Sequence, residues 1–152
     1  DFTKEDKYVC FVQSNFLLKF NLLNITEPKW YGTRMCRKKD LKSPQWLREI
    51  KPRKIPFYKF YKPKFDKFIE NGGWHFSSVK NAEGIYKKLN SYSEQQWNNE
   101  KFKNMEIIKR KIDQKKDLFD RNYNYKVLEI DNSFPKYIFN NKEKLKELLY
   151  EN

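Results

Sequence analysis

The core of this chain has to be built largely from aromatic rings. Hydrophobic residues fill only 38% of its 152 positions, yet Phe, Tyr and Trp alone reach 18%. Each buried ring removes roughly 150–250 Å² from water. Thirteen Phe, ten Tyr and four Trp therefore supply a core that the aliphatic residues would not supply alone. Disordered chains are poor in aromatics, so a folded chain is expected. The length suits one domain, and residues 1–152 are read as a single domain.

The formal charge is +13, from 33 Lys and Arg against 20 Asp and Glu. A basic surface for nucleic acid is one meaning of such an excess. Only six of the cations are Arg, however, whereas planar recognition of phosphate favours the guanidinium fork. Abundant Lys, Asn, Ile, Phe and Tyr match the codon usage of an AT-rich genome, and solvated Lys faces are the expectation. No nucleic-acid partner is expected. Cys10 and Cys36 with the single His75 make no zinc pattern, and free thiols in a reducing compartment are favoured over a disulfide. No run approaches the roughly 20 apolar residues of a membrane span. The chain opens on Asp1 without an initiator Met, which suggests an excised or processed piece, and a cytoplasmic location is expected.

Periodicity predicts strands at 8–12, 16–23 and 30–36, the first also compatible with the end of a buried helix. Gly32 marks a bulge or a close backbone approach in the third. Ser43-Pro44 starts a short helix to about Ile50, with Ser as cap and Pro at the first helical position. Residues 51–67 carry Pro52, Pro56 and Pro63 and are expected to form an extended loop, a candidate lid. After the Asn71-Gly72-Gly73 turn come Trp74, His75, Phe76 and Ser77. Asn81 caps a helix to about Leu89, and helical spacing resumes after Ser93 and runs towards Lys115. A strand is predicted at 126–130, a turn of helix at Phe134-Pro135, and a last helix capped by Asn141 with Leu145, Leu148 and Leu149 buried. This order predicts an α/β (mixed α+β) chain. No strand runs through a glycine-rich turn into a helix, so a phosphate cradle of that kind is not expected. Asn24-Ile25-Thr26 matches a glycosylation acceptor and is taken as incidental.

Several segments together resemble one family. Trp30-Tyr31-Gly32-Thr33-Arg34 is followed by Gly73-Trp74-His75-Phe76-Ser77, then Glu83-Gly84-Ile85 with Lys88-Leu89, then Ser91-Tyr92-Ser93. Lys126-Val127-Leu128-Glu129-Ile130-Asp131 and Phe134-Pro135-Lys136-Tyr137-Ile138 close the set. In order and spacing these are similar to glycosyltransferase family 17, the bisecting N-acetylglucosaminyltransferases, from about Tyr8 to Asn152. The resemblance implies the C-terminal, acceptor-side part of a GT-A-like nucleotide-sugar transferase. Such an enzyme moves a hexosyl or N-acetylglucosaminyl group from a UDP-sugar to a glycan acceptor with inversion. It also implies a divalent metal, Mn or Mg, in the full-length family. The family's Asp-x-Asp stretch is absent, so no complete metal site is expected in this chain, and the upstream nucleotide-binding half is expected elsewhere in the same protein. Past Ser93, Glu94 and Gln96 stand where the family has His and Glu.

The same resemblance, with residue chemistry, marks candidate site residues. His75 is a candidate contact to metal or diphosphate, or a structural hydrogen bond beneath the acceptor cleft. Glu83 is a candidate general base, or an early-helix acid favoured by the helix dipole. Arg34 and Arg37 suit bidentate phosphate binding and equally a solvated surface. Trp30, Trp74 and Ser77 are candidates for substrate binding, the indoles by stacking on a sugar or by packing in the core. Two other classes remain open: a non-catalytic glycan- or protein-binding module on a degenerate transferase fold, and a basic nucleic-acid-binding domain.

Overall fold

The structure is a computed structural model that describes residues 5–52, 63–91, 102 and 104–151. It is mixed α and β, as the alternating periodicities predict. The chain divides into two compact units, residues 1–14 with 29–74 and residues 15–28 with 75–152.

In the first unit β1 (Tyr8–Phe11) is the middle strand of three. It pairs antiparallel with β5 (Arg34–Cys36) and parallel with β6 (Lys67–Ile69). Val9 and Cys10 point to opposite faces and both are fully buried, which fits a continuous apolar run rather than an alternation. Cys10, Ile50 and Phe65 form the core, with Tyr8, Tyr31, Trp46 and Leu47 packed round it. The helix α1 (Pro44–Glu49) begins as expected: the Ser43 hydroxyl accepts from the Trp46 amide at 3.1 Å. Cys10 and Cys36 are both free, and burial pushes both thiols up, which keeps them protonated.

In the first unit, β4 (Lys29–Trp30) pairs antiparallel with the opening residues Gln13 and Ser14 of β2 (Gln13–Leu17). The expected strand at 30–36 is thus two strands, broken at residues 31–33. The run expected as one strand at 16–23 is also divided. Leu18 takes a left-handed φ of 68° and the chain turns, so that Phe16 faces Leu23 across a hairpin to β3 (Leu22–Asn24). Apolar continuity predicted the strands but not this turn, because Leu18 and Leu22 are buried on both sides of it.

The second unit packs α2 (Ala82–Asn90) and α3 (Met105–Asp113) against that hairpin. Leu18, Leu22, Ile85, Leu89, Ile108, Ile112 and Leu118 close together, each such burial stabilising by roughly 1.5–3 kcal/mol. Asn81 caps α2 through the Gly84 amide at 2.9 Å, as predicted, and Asn104 caps α3, which its sequence context had not suggested. β8 (Tyr125–Val127) adds antiparallel to β3 and stops short of the predicted 130. The short α4 (Lys136–Asn140) brings Ile138 to Phe16, Ile130 and Phe134. The last helix is a 3₁₀ helix, Glu143–Leu148. Most of the proposed lid, residues 53–62, and the segment from Ser93 to Lys101 lie outside the described residues. Asn24 is fully buried, and its Oδ1 accepts from the Thr26 and Glu27 amides, so this acceptor motif is used as a turn and offers nothing to a sugar.

The loop from α3 to β8 holds three left-handed residues, Lys115, Asp120 and Asn122. It is fastened by buried Asp117, which accepts from the Phe119 and Arg121 amides, the Arg121 guanidinium (2.6 and 3.0 Å) and the Tyr125 hydroxyl. Burial alone would raise this carboxyl, but the bonds from Arg121 hold it below the usual carboxylate value. The folded carboxyl therefore titrates below its unfolded value of about 4, so its stabilisation is present above that pH and is lost as pH falls through the folded value. Asp117→Asn is expected to lose about 2 kcal/mol in urea unfolding at pH 7. Its deficit against the unmodified chain should shrink in acid. An equal deficit at both pH values would contradict this role.

Candidate functional site

The turn before β7 (Trp74–Ser77) is shaped by two glycines. A Cβ on Gly72 would stand 2.9 Å from both the Ile69 carbonyl oxygen and the Phe11 Cβ, so only glycine lets the chain pass there. Gly73 has φ +124°, a conformation that side chains resist. The Gly72 amide donates to Val12 at 2.8 Å, and the Ser14 amide donates to the Gly73 carbonyl at 3.0 Å. Alternation along β7 then places Trp74 and Phe76 on one side and His75 and Ser77 on the other. Phe76 packs on Phe16 and Phe20, with ring centroids at 5.4 and 5.1 Å.

In the first unit, Trp74 is 39% exposed and Trp30 is 42% exposed, so neither indole is spent on the core. Gln13 lies between them in the chain pairing. It stands opposite Trp30 across β2 and β4, and its Nε2 donates to the Trp74 carbonyl at 3.4 Å. The Thr33 hydroxyl donates to Gln13 Oε1 at 2.7 Å. Gln13 and Thr33 were not among the sequence candidates. A polar residue at the start of an apolar run carries no signal of its own, and only the strand register reveals the position.

Arg34 and Arg37, both in the first unit, bond within it. Arg34 donates through Nε to the Tyr31 carbonyl at 3.2 Å, and through Nη1 to the carbonyls of Leu47, at 3.1 Å, and Arg48. Its guanidinium thereby satisfies carbonyls near the end of α1 that the helix leaves unpaired. Burial pulls its pKa down. Arg37 pairs with Asp40 at 2.5 Å over the short 3₁₀ turn Lys38–Asp40. Each arginine thus has an internal partner beside the phosphate or surface role expected of it.

In the second unit, the half-buried His75 shares its surroundings with Lys88. Burial lowers the imidazole pKa first, and the Lys88 ammonium lowers it further. Lys88 reaches back from α2 to the Ser78 hydroxyl at 3.0 Å, and burial and Lys80 lower its own pKa. Ser78 has a left-handed φ of 56°, which turns the chain out of β7 towards the Asn81 cap. An open hollow of about 380 Å³ lies at this turn, lined by Val79, Lys80, Asn81, Gly84, Glu147 and Leu148. Ser77 gives its carbonyl to the Leu18 amide at 3.0 Å. Glu83 is exposed on the first turn of α2 and pairs with Lys87 at 2.7 Å. The hydrogen bond from Lys87 lowers the Glu83 carboxyl, which makes it a weaker proton acceptor.

Among the described residues, no three His, Cys, Asp or Glu side chains are grouped so that they would hold a metal ion. No helix among the described residues is long and apolar enough to cross a membrane. Comparison with known protein families, with characterised proteins and with solved structures finds no match.

His75 is the only histidine, so its titration is directly readable by NMR. Its midpoint is expected below the ordinary value of about 6.5, and Lys88→Met should move it upward. An ordinary midpoint that Lys88→Met leaves in place would contradict the pairing.

Proposed function

We propose that this chain is the acceptor-side part of a sugar transferase with a GT-A-like fold. It would move a hexosyl or N-acetylglucosaminyl group from a UDP-sugar to a glycan hydroxyl with inversion. What supports this most is the strand-to-helix turn after β7. There a half-buried imidazole, a half-buried ammonium and the Ser78 hydroxyl stand together. In an inverting transfer the bond from the sugar carbon to the diphosphate oxygen breaks while the acceptor oxygen bonds to the opposite face. Negative charge grows on the leaving diphosphate, and positioned cations and donors stabilise it.

Lys88 and Lys80 offer that positive charge, and a neutral His75 offers a ring N–H without adding a third repelling cation. The low pKa of His75 therefore suits a hydrogen-bond donor present at pH 7. The exposed indoles of Trp30 and Trp74 suit the apolar faces of a sugar. Arg34 and Arg37 are left to their roles in the fold, and Glu83 to its helix. The acceptor's base and the metal-binding acids then belong to a further segment of the same protein. Protonated free thiols agree with a cytoplasmic setting.

A second reading, a glycan-binding module without catalysis, is favoured by Glu83 being tied to Lys87 rather than held as a base. Transfer from UDP-N-acetylglucosamine by the longest polypeptide containing these residues separates the two. His75→Ala in that polypeptide is expected to lower turnover roughly tenfold or more with an unchanged unfolding temperature. Full activity in the variant, or no transfer from any UDP-sugar by the parent, would overturn the catalytic proposal.

A further inference from the structure

We infer that the Asn71–Gly72 peptide is a self-modification site: opening of its turn lets Asn71 convert, through a cyclic imide, to aspartate and isoaspartate. This stands apart from the transferase reading and concerns residues of the first unit alone.

The reacting pair is present in the sequence. Asn71 is followed by glycine, and no other asparagine of the chain is. Ring closure needs the next backbone nitrogen to reach the side-chain carbonyl carbon, and a side chain on that next residue hinders the approach. Gly72 has none. Asn71 is exposed, so water reaches its carboxamide. In the reaction the Gly72 nitrogen gives its proton to solvent and bonds to Asn71 Cγ. The Cγ–Nδ2 bond breaks and ammonia leaves. Water then opens the imide, at Cγ to give aspartate or at the main-chain carbonyl to give isoaspartate. Nothing is oxidised or reduced, and water is the one reactant consumed.

The native turn holds this pair apart in two ways. Asn71 has a left-handed φ of 52°. In that region ψ is about +30 to +60°, which turns the following nitrogen away from the side chain, whereas the imide needs both on one side. The nucleophile is also occupied. The Gly72 amide donates to the Val12 carbonyl at 2.8 Å, and the Val12 amide donates to the Ile69 carbonyl at 2.9 Å. Val12 is buried, which strengthens both bonds. The turn therefore has to open before it reacts. The change to isoaspartate is then one-way. It adds a carbon to the backbone beside Gly72, where even a Cβ would stand 2.9 Å from the Ile69 carbonyl oxygen and the Phe11 Cβ. The site thus keeps a permanent record of each opening that led to reaction.

The test incubates the whole chain at mildly alkaline pH, with and without urea. Peptide mass spectrometry then maps each asparagine that has become an acid. Position 71 is expected to react first in urea, and roughly tenfold or more faster there than in the native chain. Gly73→Ala keeps the reacting pair but strains the neighbouring φ of +124°. Its rate at Asn71 should follow hydrogen exchange of the Gly72 amide, and should equal the urea rate if the variant unfolds. Asn71→Gln, which would need a larger ring, should stop the reaction at this position. Three results overturn the inference: equal rates at Asn71 in native and unfolded chains, another asparagine reacting first in urea, or a Gly73→Ala rate that does not follow Gly72 exchange.

Discussion

The approach of Gly72 to the backbone and side chain of Phe11 is the constraint that shapes the turn leading to Trp74 in the first unit. There is no space for a Cβ at that position, and the Gly72 amide is bound to the Val12 carbonyl. The following Gly73 uses a backbone conformation that side chains resist. Together they hold the turn that ends at Trp74.

Beyond that turn, each unit uses its charges differently. In the first unit Arg34 bonds to the carbonyls of Tyr31, Leu47 and Arg48, and Arg37 to Asp40. The second unit spends Arg121 on Asp117, while burial and Lys88 lower the His75 pKa and burial and Lys80 lower that of Lys88. Most of the described lysines lie on solvated faces.

Much of the local structure was legible in the residues. Ser43 and Asn81 cap α1 and α2 as their sequence contexts predict, and β1 is the buried strand that its unbroken apolar run suggests. The hairpin at Leu18 was not legible, because both arms and the turn itself are apolar, and nothing but the tertiary packing of Leu18 and Leu22 explains the bend. Gly32 was marked as a bulge or a close approach, and the structure supplies the partner, the indole of Trp30. The motif points to His75, Trp30 and Trp74 as candidates. Lys88 and Gln13 were missed as site residues, because helix spacing and strand register bring them in from elsewhere in the chain. The internal bonds of Arg34 and Arg37 compete with the phosphate role expected of them, because a guanidinium suits an orphan carbonyl or a carboxylate as well as a phosphate.

The most direct measurement of the central claim is an NMR titration of the His75 imidazole signals with UDP at about 0.15 M salt, where diffuse charge attraction is screened. If the β7–α2 turn handles a departing diphosphate, the His75 signals move saturably and Lys88→Met weakens the response. If UDP leaves His75 unmoved, or the response survives Lys88→Met unchanged, this turn is not a diphosphate site and the account fails at its centre.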